Sequence, residues 1–283
     1  LTMLAAKLSG VPVRMHTFTG QVWANKQGWK RVALKQFDKL IVSFATHILV
    51  DSPSQRDFLI AEGVLPLEKG QVIGHGSICG VDRHRFHPDE QTRAAVREEL
   101  GIAQDQKVIL FLGRLNRDKG MLDLAAAFTD IASRRSDTAL VLVGAEEDVP
   151  FAQIQNLCGK YRDRLHRVSF TPHPERYMAA ADIFCLPSYR EGFGQVVIEA
   201  AACGIPTVAT RIYGITDAVE DKLSGLLFPP GEVTELTDHL MKLIDDAELC
   251  MSMGEAARVR AIDLFSSEQV TAKQIALYAE VLE

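Results

Sequence analysis

A chain of 283 residues is long enough for two domains of ordinary size. Hydrophobic residues make up 47% of it and charged residues 24%, a balance that is typical of a globular protein and excludes a disordered chain. The formal net charge is −6, yet residues 1–50 hold seven lysines or arginines against one acid, Asp38. This basic start indicates either a face that meets an anionic partner or a local accident of composition.

Cysteine usage and hydropathy restrict the class of protein further. The cysteines are scattered and include no Cys-x-x-Cys pair: Cys79, Cys158, Cys185, Cys203 and Cys250. This pattern predicts reduced thiols in the cytoplasm and argues against a zinc cluster. No run reaches the roughly 18 apolar residues of a spanning helix, and no apolar segment of the opening residues leads to a cleavage site, so no signal peptide is expected. The chain opens without Met and already within a helical pattern, so we expect that its start is missing.

Short apolar runs alternate with helical patterns almost to the end of the chain. Strands are predicted at residues 11–15, 47–52, 70–74, 107–113, 139–144, 167–170, 182–187 and 206–210. Helices are predicted at residues 26–45, 53–62, 90–100, 120–134, 174–181, 194–203, 232–245, 247–264 and 267–282. Continuously apolar strands that alternate with helices predict an α/β protein with doubly wound parallel sheets.

A domain boundary is expected within residues 75–106, where a stretch rich in Gly, His and charge interrupts the alternation. After it, the pattern is that of one complete nucleotide-binding domain. Before it there are only three strands, too few for an independent doubly wound domain. The sequence therefore predicts the remaining part of a first domain followed by a whole second one.

Two carboxylates are prominent in the second domain. Glu199 interrupts an apolar run, and Glu191 lies eight residues earlier. Since Pro187 and Gly192 prevent one helix from joining them, we expect a strand, a loop that holds Glu191, and a helix that holds Glu199. Ligands of open α/β sheets bind at such a loop. An unpaired buried carboxylate is unfavourable, so Glu199 is expected to have a partner: either the hydroxyls of a bound ribose or a salt bridge to a neighbouring helix.

Two groups suited to an anion lie at the same edge of the predicted sheet. The amides of Gly192, Phe193 and Gly194 form a helix N-terminus that suits a diphosphate. Arg114 and Lys119 flank a short loop after the strand at 107–113, from which two cations can clamp a diphosphate. The alternative for both cations is a solvated surface position.

Together these features resemble the donor-binding half of the family-4 retaining glycosyltransferases, which have the GT-B fold of two facing Rossmann-like domains. The matching segments are Gly113-Arg114…Lys119-Gly120, Pro187-Ser188-x-x-Glu191-Gly192-Phe193-Gly194, Glu199-Ala200 and Gly204-x-Pro206. The resemblance is strongest over residues 75–265. It implies an N-terminal acceptor-side domain in residues 1–80, a C-terminal nucleotide-sugar-binding domain in residues 81–265, and a C-terminal helix in residues 266–283 that crosses back to the first domain.

The resemblance also implies a role for each candidate residue. Glu191 would contact the donor sugar, Glu199 the ribose, and the two cations the diphosphate that becomes the leaving group. The first-domain segment around His16, interpreted as lying just past a strand end, would face the donor; a local turn cap is the alternative. The implied catalytic residues are His16, Arg114, Lys119 and Glu191. The implied donor-binding residues are Gly113, Thr171, His173, Gly192, Phe193, Gly194 and Glu199.

The reaction implied is retaining transfer of a sugar from a nucleoside diphosphate sugar, with UDP favoured, to a hydroxyl acceptor in bacterial surface polysaccharide or glycolipid synthesis. No cofactor is expected. The chain has no Asp-x-Asp and no His-x-x-x-His, so no metal is expected either. The alternatives are an epimerase of the same fold and a non-catalytic sugar-nucleotide-binding module. The truncated start leaves the activity of the chain by itself open.

The partners follow from the same reading. A glycan or lipid-linked acceptor is expected, and no nucleic acid. Arg31, Lys35 and Lys39 recur at helical spacing beside an apolar band, which predicts either docking on an anionic membrane surface or an ordinary solvated helix face. The expected location is the cytoplasm. Peripheral binding to the inner face of the cell membrane is the further expectation if the basic helix docks on lipid.

Overall fold

The apolar runs of the sequence form parallel strands in two separate sheets. The computed structural model describes residues 2–283; Leu1, the first residue of the predicted first domain, lies outside them. The strands are β1 (Met15–Phe18), β2 (His47–Val50), β3 (Gln71–Val72), β4 (Lys107–Leu112), β5 (Thr138–Val143), β6 (Leu165–Val168), β7 (Ile183–Leu186), β8 (Thr207–Thr210) and β9 (Gly225–Phe228). The first sheet has the order β1-β2-β3 and the second β6-β5-β4-β7-β8-β9.

Helices connect the strands on both faces of the sheets. They are α1 (Thr2–Leu8), α2 (Gly28–Phe44), α3 (Pro53–Ala61), α4 (Glu90–Leu100), α5 (Met121–Arg134), α6 (Phe151–Cys158), α7 (Pro174–Ala180), α8 (Gln195–Ala202), α9 (Ile215–Ala218), α10 (Val233–Asp245), α11 (Ala247–Phe265) and α12 (Ser267–Leu282). Short 3-10 segments cover Arg117–Lys119 and Gly159–Arg164. All strand pairs are parallel, so the doubly wound α/β class is confirmed.

The predicted helices match observed ones to within two residues at each end, whereas two strands were misjudged. The strand predicted at 11–15 is wrong, because pairing begins only at Met15, opposite His47. The Arg14 side chain donates hydrogen bonds to the carbonyls of Val11 and Phe44, which hold residues 11–14 in irregular backbone. Strand β9 was missed, since four apolar residues between turns give little signal.

The second domain has the larger core. Its central strands are buried on both faces, and fully buried side chains such as Phe111, Phe128 and Phe184 lie between sheet and helices. The first sheet has its own smaller core around Trp23 and Leu59. Each sheet is therefore the centre of a separate hydrophobic cluster.

The C-terminal helix α12 lies against the first sheet. Val270 and Leu277 of this helix pack with Leu49 and Ile73 in a small buried cluster. The chain crosses between the domains beside this helix, where Val81 N–H donates to Phe265 O at 2.7 Å and Ser267 N–H donates to Val81 O at 2.9 Å. The chain crosses between the domains twice, at Val81 and again between Phe265 and Ser267, and these two segments are hydrogen-bonded to each other.

A fully buried arginine fixes α4 to the start of β7. Arg97 has 0% exposure and donates to Asp182 Oδ2 at 2.8 Å and to Ala180 O at 3.0 Å. Its third nitrogen, Nη1, donates to the carbonyls of Gln104 and Gln106, both at 2.9 Å. Each of the three guanidinium nitrogens therefore has at least one hydrogen-bond partner.

We expect Arg97→Met to lower the free energy of unfolding by about 3 kcal/mol, because three carbonyls would lose their donor and the half-buried carboxylate of Asp182 would keep only Arg93 as a charged partner. Urea unfolding followed by circular dichroism measures the change. The matched control is Arg134→Met on exposed helix surface, where loss of the pair with Asp130 should change stability by about 0.5 kcal/mol or less. Equal losses in the two variants would contradict the role given to Arg97.

Candidate active site

The loop between β7 and α8 places Glu191 at the carboxyl edge of the second sheet. Ser188, just after the strand, is buried, and its hydroxyl donates to Glu191 Oε1 at 2.9 Å. The ammonium of Lys119 forms an ion pair with the same carboxylate oxygen. Gly194 ends the loop with a φ of 80°, a conformation that favours glycine, and α8 begins at the next residue. Glu191 is therefore held by one neutral and one charged donor.

The glycine after Glu191 lies directly against the first domain. A Cβ atom added at Gly192 would lie 1.5 Å from the Thr19 carbonyl oxygen and 2.6 Å from Asp51 Oδ2. A Cβ atom added at Gly214 would in turn lie 2.3 Å from the carbonyl oxygen of Gly192. Only glycine fits at this point, and backbone from both domains covers the turn.

Phe193 has mainly a packing role. Its side chain is buried, and its ring meets Phe265 in an edge-to-face contact with 5.2 Å between ring centroids. A Cβ added at Gly76 would lie 2.9 Å from the Phe193 ring, so the segment between the domains passes close to it. The ring thus anchors the loop that holds Glu191.

Glu199 lies just over one turn into α8, as the sequence predicted. Among residues 2–283, its carboxylate accepts one hydrogen bond, from Gln195 Nε2 at 3.4 Å. Within residues 2–283 it makes no ion pair with any lysine or arginine, so the salt bridge considered above is not formed. Burial raises the pKa of Glu199 to about 7, opposed by Gln195 and by the charge of Arg85. Glu199 is thus half-buried, and its carboxylate has little compensation for the water that it loses.

The two predicted phosphate ligands are both paired with carboxylates. Arg114 is 59% exposed and donates to Glu147 Oε1 at 2.9 Å, while Lys119 pairs with Glu191. Asn116 joins the two parts of this loop, because its side chain accepts from Lys119 N at 2.9 Å and donates to Glu147 Oε2 at 2.6 Å. An incoming diphosphate would have to compete with these acidic partners.

His16 lies elsewhere than expected. It is the second residue of β1, so the interpretation that it follows a strand end is wrong. Its ring contacts Phe18, with 4.7 Å between centroids. Burial lowers the pKa of His16, and the negative charge of Asp38 on α2 opposes this. The residues of this segment that reach the second domain are Thr19 and Gly20, beyond the strand.

Thr171 and His173 form a small turn before α7. The His173 N–H donates to Thr171 Oγ1 at 3.1 Å, and its Nδ1 lies 3.1 Å from Glu175 Oε1. Glu175 also pairs with Arg85 at 2.8 Å. The charges of Arg85 and Glu175 both act on Glu199, which brings this turn and the Glu199 helix into one neighbourhood.

Sequence reasoning missed Arg85 and Gln195. Gln195 is the first residue of α8 and stands one helical turn before Glu199, a spacing that could have indicated it. Arg85 lies in the stretch rich in Gly, His and charge at the expected domain boundary, and no spacing rule connects it to Glu199. Gly113 directly follows β4, which ends one residue earlier than predicted, and it begins the Arg114 loop.

Neither a metal cluster nor a membrane span is found in the part of the chain that the structure describes. Among residues 2–283, no three His, Cys, Asp or Glu side chains are grouped so that they could bind one ion. No helix in the same range combines the length and hydropathy that a bilayer crossing needs.

Residues 92–260, more than half of the chain, match the family model described as glycosyl transferases group 1. The chain belongs to this family. The capsular polysaccharide biosynthesis glycosyltransferase CapM of Staphylococcus aureus is 26% identical over 281 residues, which are 99% of this chain and 73% of that protein. The D-inositol 3-phosphate glycosyltransferase of Corynebacterium jeikeium is 37% identical over 188 residues, 63% of this chain and 45% of its own length.

Solved structures share the fold of this group 1 glycosyltransferase chain. Sucrose-phosphate synthase from Thermosynechococcus elongatus superposes with a TM-score of 0.82 at 28% identity, over 95% of this chain and 67% of that one. Anabaena Alr3699/HepE in complex with UDP gives 0.83 at 23% identity, over 99% of this chain and 75% of that one. The expected GT-B architecture is thereby confirmed. The chain spans about half the length of several curated relatives, such as 52% of N-acetyl-alpha-D-glucosaminyl L-malate synthase from Bacillus anthracis.

The buried state of Glu199 predicts a pH-dependent stability. A pKa of about 7 in the folded protein lies above the usual value, so the folded state binds a proton more tightly than the unfolded state. The stabilisation of the folded state by the protonated Glu199 is fully present below about pH 4.5 and is lost as the pH rises to about 7. Through this group, we expect the wild-type protein to lose on the order of 2–3 kcal/mol of stability between pH 5 and pH 8. Glu199→Gln should not show this loss.

Urea unfolding at a series of pH values measures the slope for each protein. The matched control is Glu68→Gln, which makes the same change on an exposed side chain of the first domain. A Glu199→Gln profile parallel to that of the wild type would show that Glu199 is not the buried acid inferred from the structure.

Proposed function

We propose that the whole protein is a retaining, metal-independent glycosyltransferase that moves a sugar from a nucleoside diphosphate sugar, with UDP favoured, to a hydroxyl of a glycan or lipid-linked acceptor. The observation that supports it most is the half-buried, weakly compensated carboxylate of Glu199 beside a loop that holds Glu191 and Lys119. Ribose hydroxyls would donate the hydrogen bonds that this carboxylate lacks, and binding of the nucleotide would then favour its ionised form.

The ion pair between Lys119 and Glu191 suggests how the donor is engaged. A diphosphate is a better partner for an ammonium group than one carboxylate, because it carries more charge. When Lys119 and Arg114 turn to the diphosphate, Glu191 is released to accept hydrogen bonds from the sugar. The cations then stabilise the departing diphosphate, which is the charge that develops as the glycosidic bond breaks. One exchange of ion-pair partners would therefore bind the diphosphate and free Glu191 for the sugar.

The remaining candidate residues have supporting parts. Thr171 and His173 border the neighbourhood of Glu199, where the nucleotide base would lie against backbone. Gly192 and Gly194 would keep side chains away from the sugar. His16 contributes from β1, either by contact with the donor or by shaping the first-domain wall. Retention would follow from same-face attack, in which the leaving phosphate accepts the proton of the acceptor hydroxyl.

Surface polysaccharide or glycolipid synthesis in the cytoplasm is the proposed setting, in keeping with the name of the similar CapM protein. Peripheral membrane binding through α2 is part of this proposal. Arg31 and Lys35 are poor candidates for lipid contact, because both pair with Glu62, at 2.8 and 2.7 Å. The exposed face of α2 instead presents Trp29, which is 75% exposed, together with Lys30.

We expect UDP to raise the melting temperature of the full-length protein equally in EDTA and in Mg²⁺, through binding to the folded state alone. Glu199→Ala should abolish the rise, since loss of a charged hydrogen-bond acceptor weakens binding by about 100-fold. Glu191→Ala is the matched control, because Glu191 is assigned to the sugar: it should keep the UDP shift and lose turnover of the sugar nucleotide.

The same assay separates the donor bases. GDP is the comparison nucleotide, since a relative from Mycolicibacterium smegmatis is described as GDP-mannose-dependent. A shift with neither nucleotide would overturn the proposed function. A shift or turnover that requires Mg²⁺ would contradict metal independence, and equal loss in the two Glu variants would contradict the division of roles between them.

The membrane part of the proposal predicts a difference between neighbouring cations on α2. In flotation with anionic vesicles, Lys30→Gln should weaken binding about fivefold, since each cation near the surface contributes about 1 kcal/mol. The matched control is Arg31→Gln, whose charge already pairs with Glu62. Equal binding of the wild type to anionic and neutral vesicles would remove the membrane from the proposal.

A further inference from the structure

A second buried acid lies at the contact between the domains, and the proposed function gives it no role. Asp51 directly follows β2, at the carboxyl edge of the first sheet, and is 5% exposed. Its Oδ2 lies beside Gly192, 2.6 Å from the position that a Cβ on that glycine would take. Its Oδ1 is buried without a hydrogen-bond partner within residues 2–283. The side chain therefore faces the turn that carries Glu191.

Among residues 2–283, no lysine, arginine or histidine forms an ion pair with Asp51. On its own side, the Asp51 N–H donates to Gln55 Oε1 at 2.8 Å, and Gln55 Nε2 donates to Gln21 Oε1 at 3.3 Å. These amides are neutral. From the segment between the domains, Ser77 N–H donates to the carbonyl of Asp51 at 2.8 Å.

The titratable groups near Asp51 also fail to stabilise its charge. Partial burial raises the pKa of the Cys79 thiol, in the segment between the domains, and the charges of Glu199 and Asp51 raise it further. Glu191, in the facing turn, has its carboxylate paired with Lys119. Burial alone raises the pKa of Asp51 to about 7. With the domains in contact, the carboxyl group is thus favoured in its neutral form.

We infer that Asp51 is a positioning residue for Glu191: its carboxyl group, packed against Gly192, fixes the Glu191–Gly192 turn against the first domain. The inference rests on the proposed function for its consequence, namely that Glu191 is placed to contact a donor sugar. Separation of the domains exposes Asp51 to water and lets it ionise at its ordinary pH. Contact between the domains is therefore linked to the binding of one proton.

The sign of this linkage follows from the two states. The group binds its proton more tightly when the domains are in contact, so its contribution to closure is complete below about pH 4 and is lost as the pH rises to about 7. Over that interval the closure equilibrium weakens by up to about tenfold per pH unit and then levels off. The side-chain amide of an asparagine at position 51 has no proton to lose in this pH range. Asp51→Asn should therefore remove the pH dependence of closure.

Hydrogen exchange of the full-length protein, measured by mass spectrometry from pH 5 to 8.5 and corrected for intrinsic rates, tests the inference. Protection in peptides that cover residues 17–22 and 188–194 should fall with rising pH in the wild type and level off above pH 7. Across the whole pH range, Asp51→Asn should keep the protection that the wild type shows at acidic pH. Asp57→Asn, the same change on a 78% exposed side chain of α3, is the matched control and should follow the wild type.

A second measurement separates positioning from a general loss of structure. Asp51→Asn should retain turnover at pH 6 and lose the decline of the wild-type pH–rate profile toward pH 7, whereas Asp51→Ala should reduce turnover at every pH. A wild-type protection that is constant with pH, or an Asp51→Asn profile that follows the wild type, would overturn the inference. Neither result would affect UDP binding, so the inference can fail while the proposed function stands. Conversely, a protein that binds no nucleotide would overturn the proposed function without changing the hydrogen-exchange result.

Discussion

The backbone contact between Thr19 and Gly192 is the constraint on which the site depends. It brings the carboxyl edges of two separate sheets together, and it leaves no room for a side chain at the second residue. Each sheet has its own hydrophobic cluster, so each can present its edge as a rigid surface. Glu191 adjoins this contact, and its position is consequently set by both domains, although its carboxylate is bonded only within the second.

Electrostatics at the site follow from which charges have partners. The two cations at the sheet edge are neutralised by acids, whereas Glu199 and Asp51 are acids with no cation at ion-pair distance among residues 2–283. Burial shifts the pKa of each of these two acids to about 7, close to the pH of a cell. An anionic ligand and its hydroxyls would reverse this arrangement, since they offer negative charge to the cations and donors to Glu199.

The sequence predicted the second domain well because its elements are long, apolar and bounded by strong turn residues. The positions of Glu191, Lys119 and Glu199 followed from the same pattern, since parallel strands all end at one edge. Contacts between residues far apart in the chain could not be predicted: neither the pairing of Lys119 with Glu191 within the second domain nor the burial of Asp51 between the domains leaves a periodic signal. His16 was misplaced because Arg14 holds the preceding apolar residues out of the strand.

The segment that links the domains is bonded to the same helix that carries Glu199. Gln195 Oε1 accepts from Ser77 Oγ at 2.8 Å, and Gln195 Nε2 donates to Gly80 O at 2.7 Å as well as to Glu199 at 3.4 Å. The long, weak bond to Glu199 is the one that ribose hydroxyls would most easily replace, whereas the two short bonds keep the linking segment in place. Occupation of Glu199 therefore need not disturb the domain contact, because the amide that serves both is bonded more tightly to the linker.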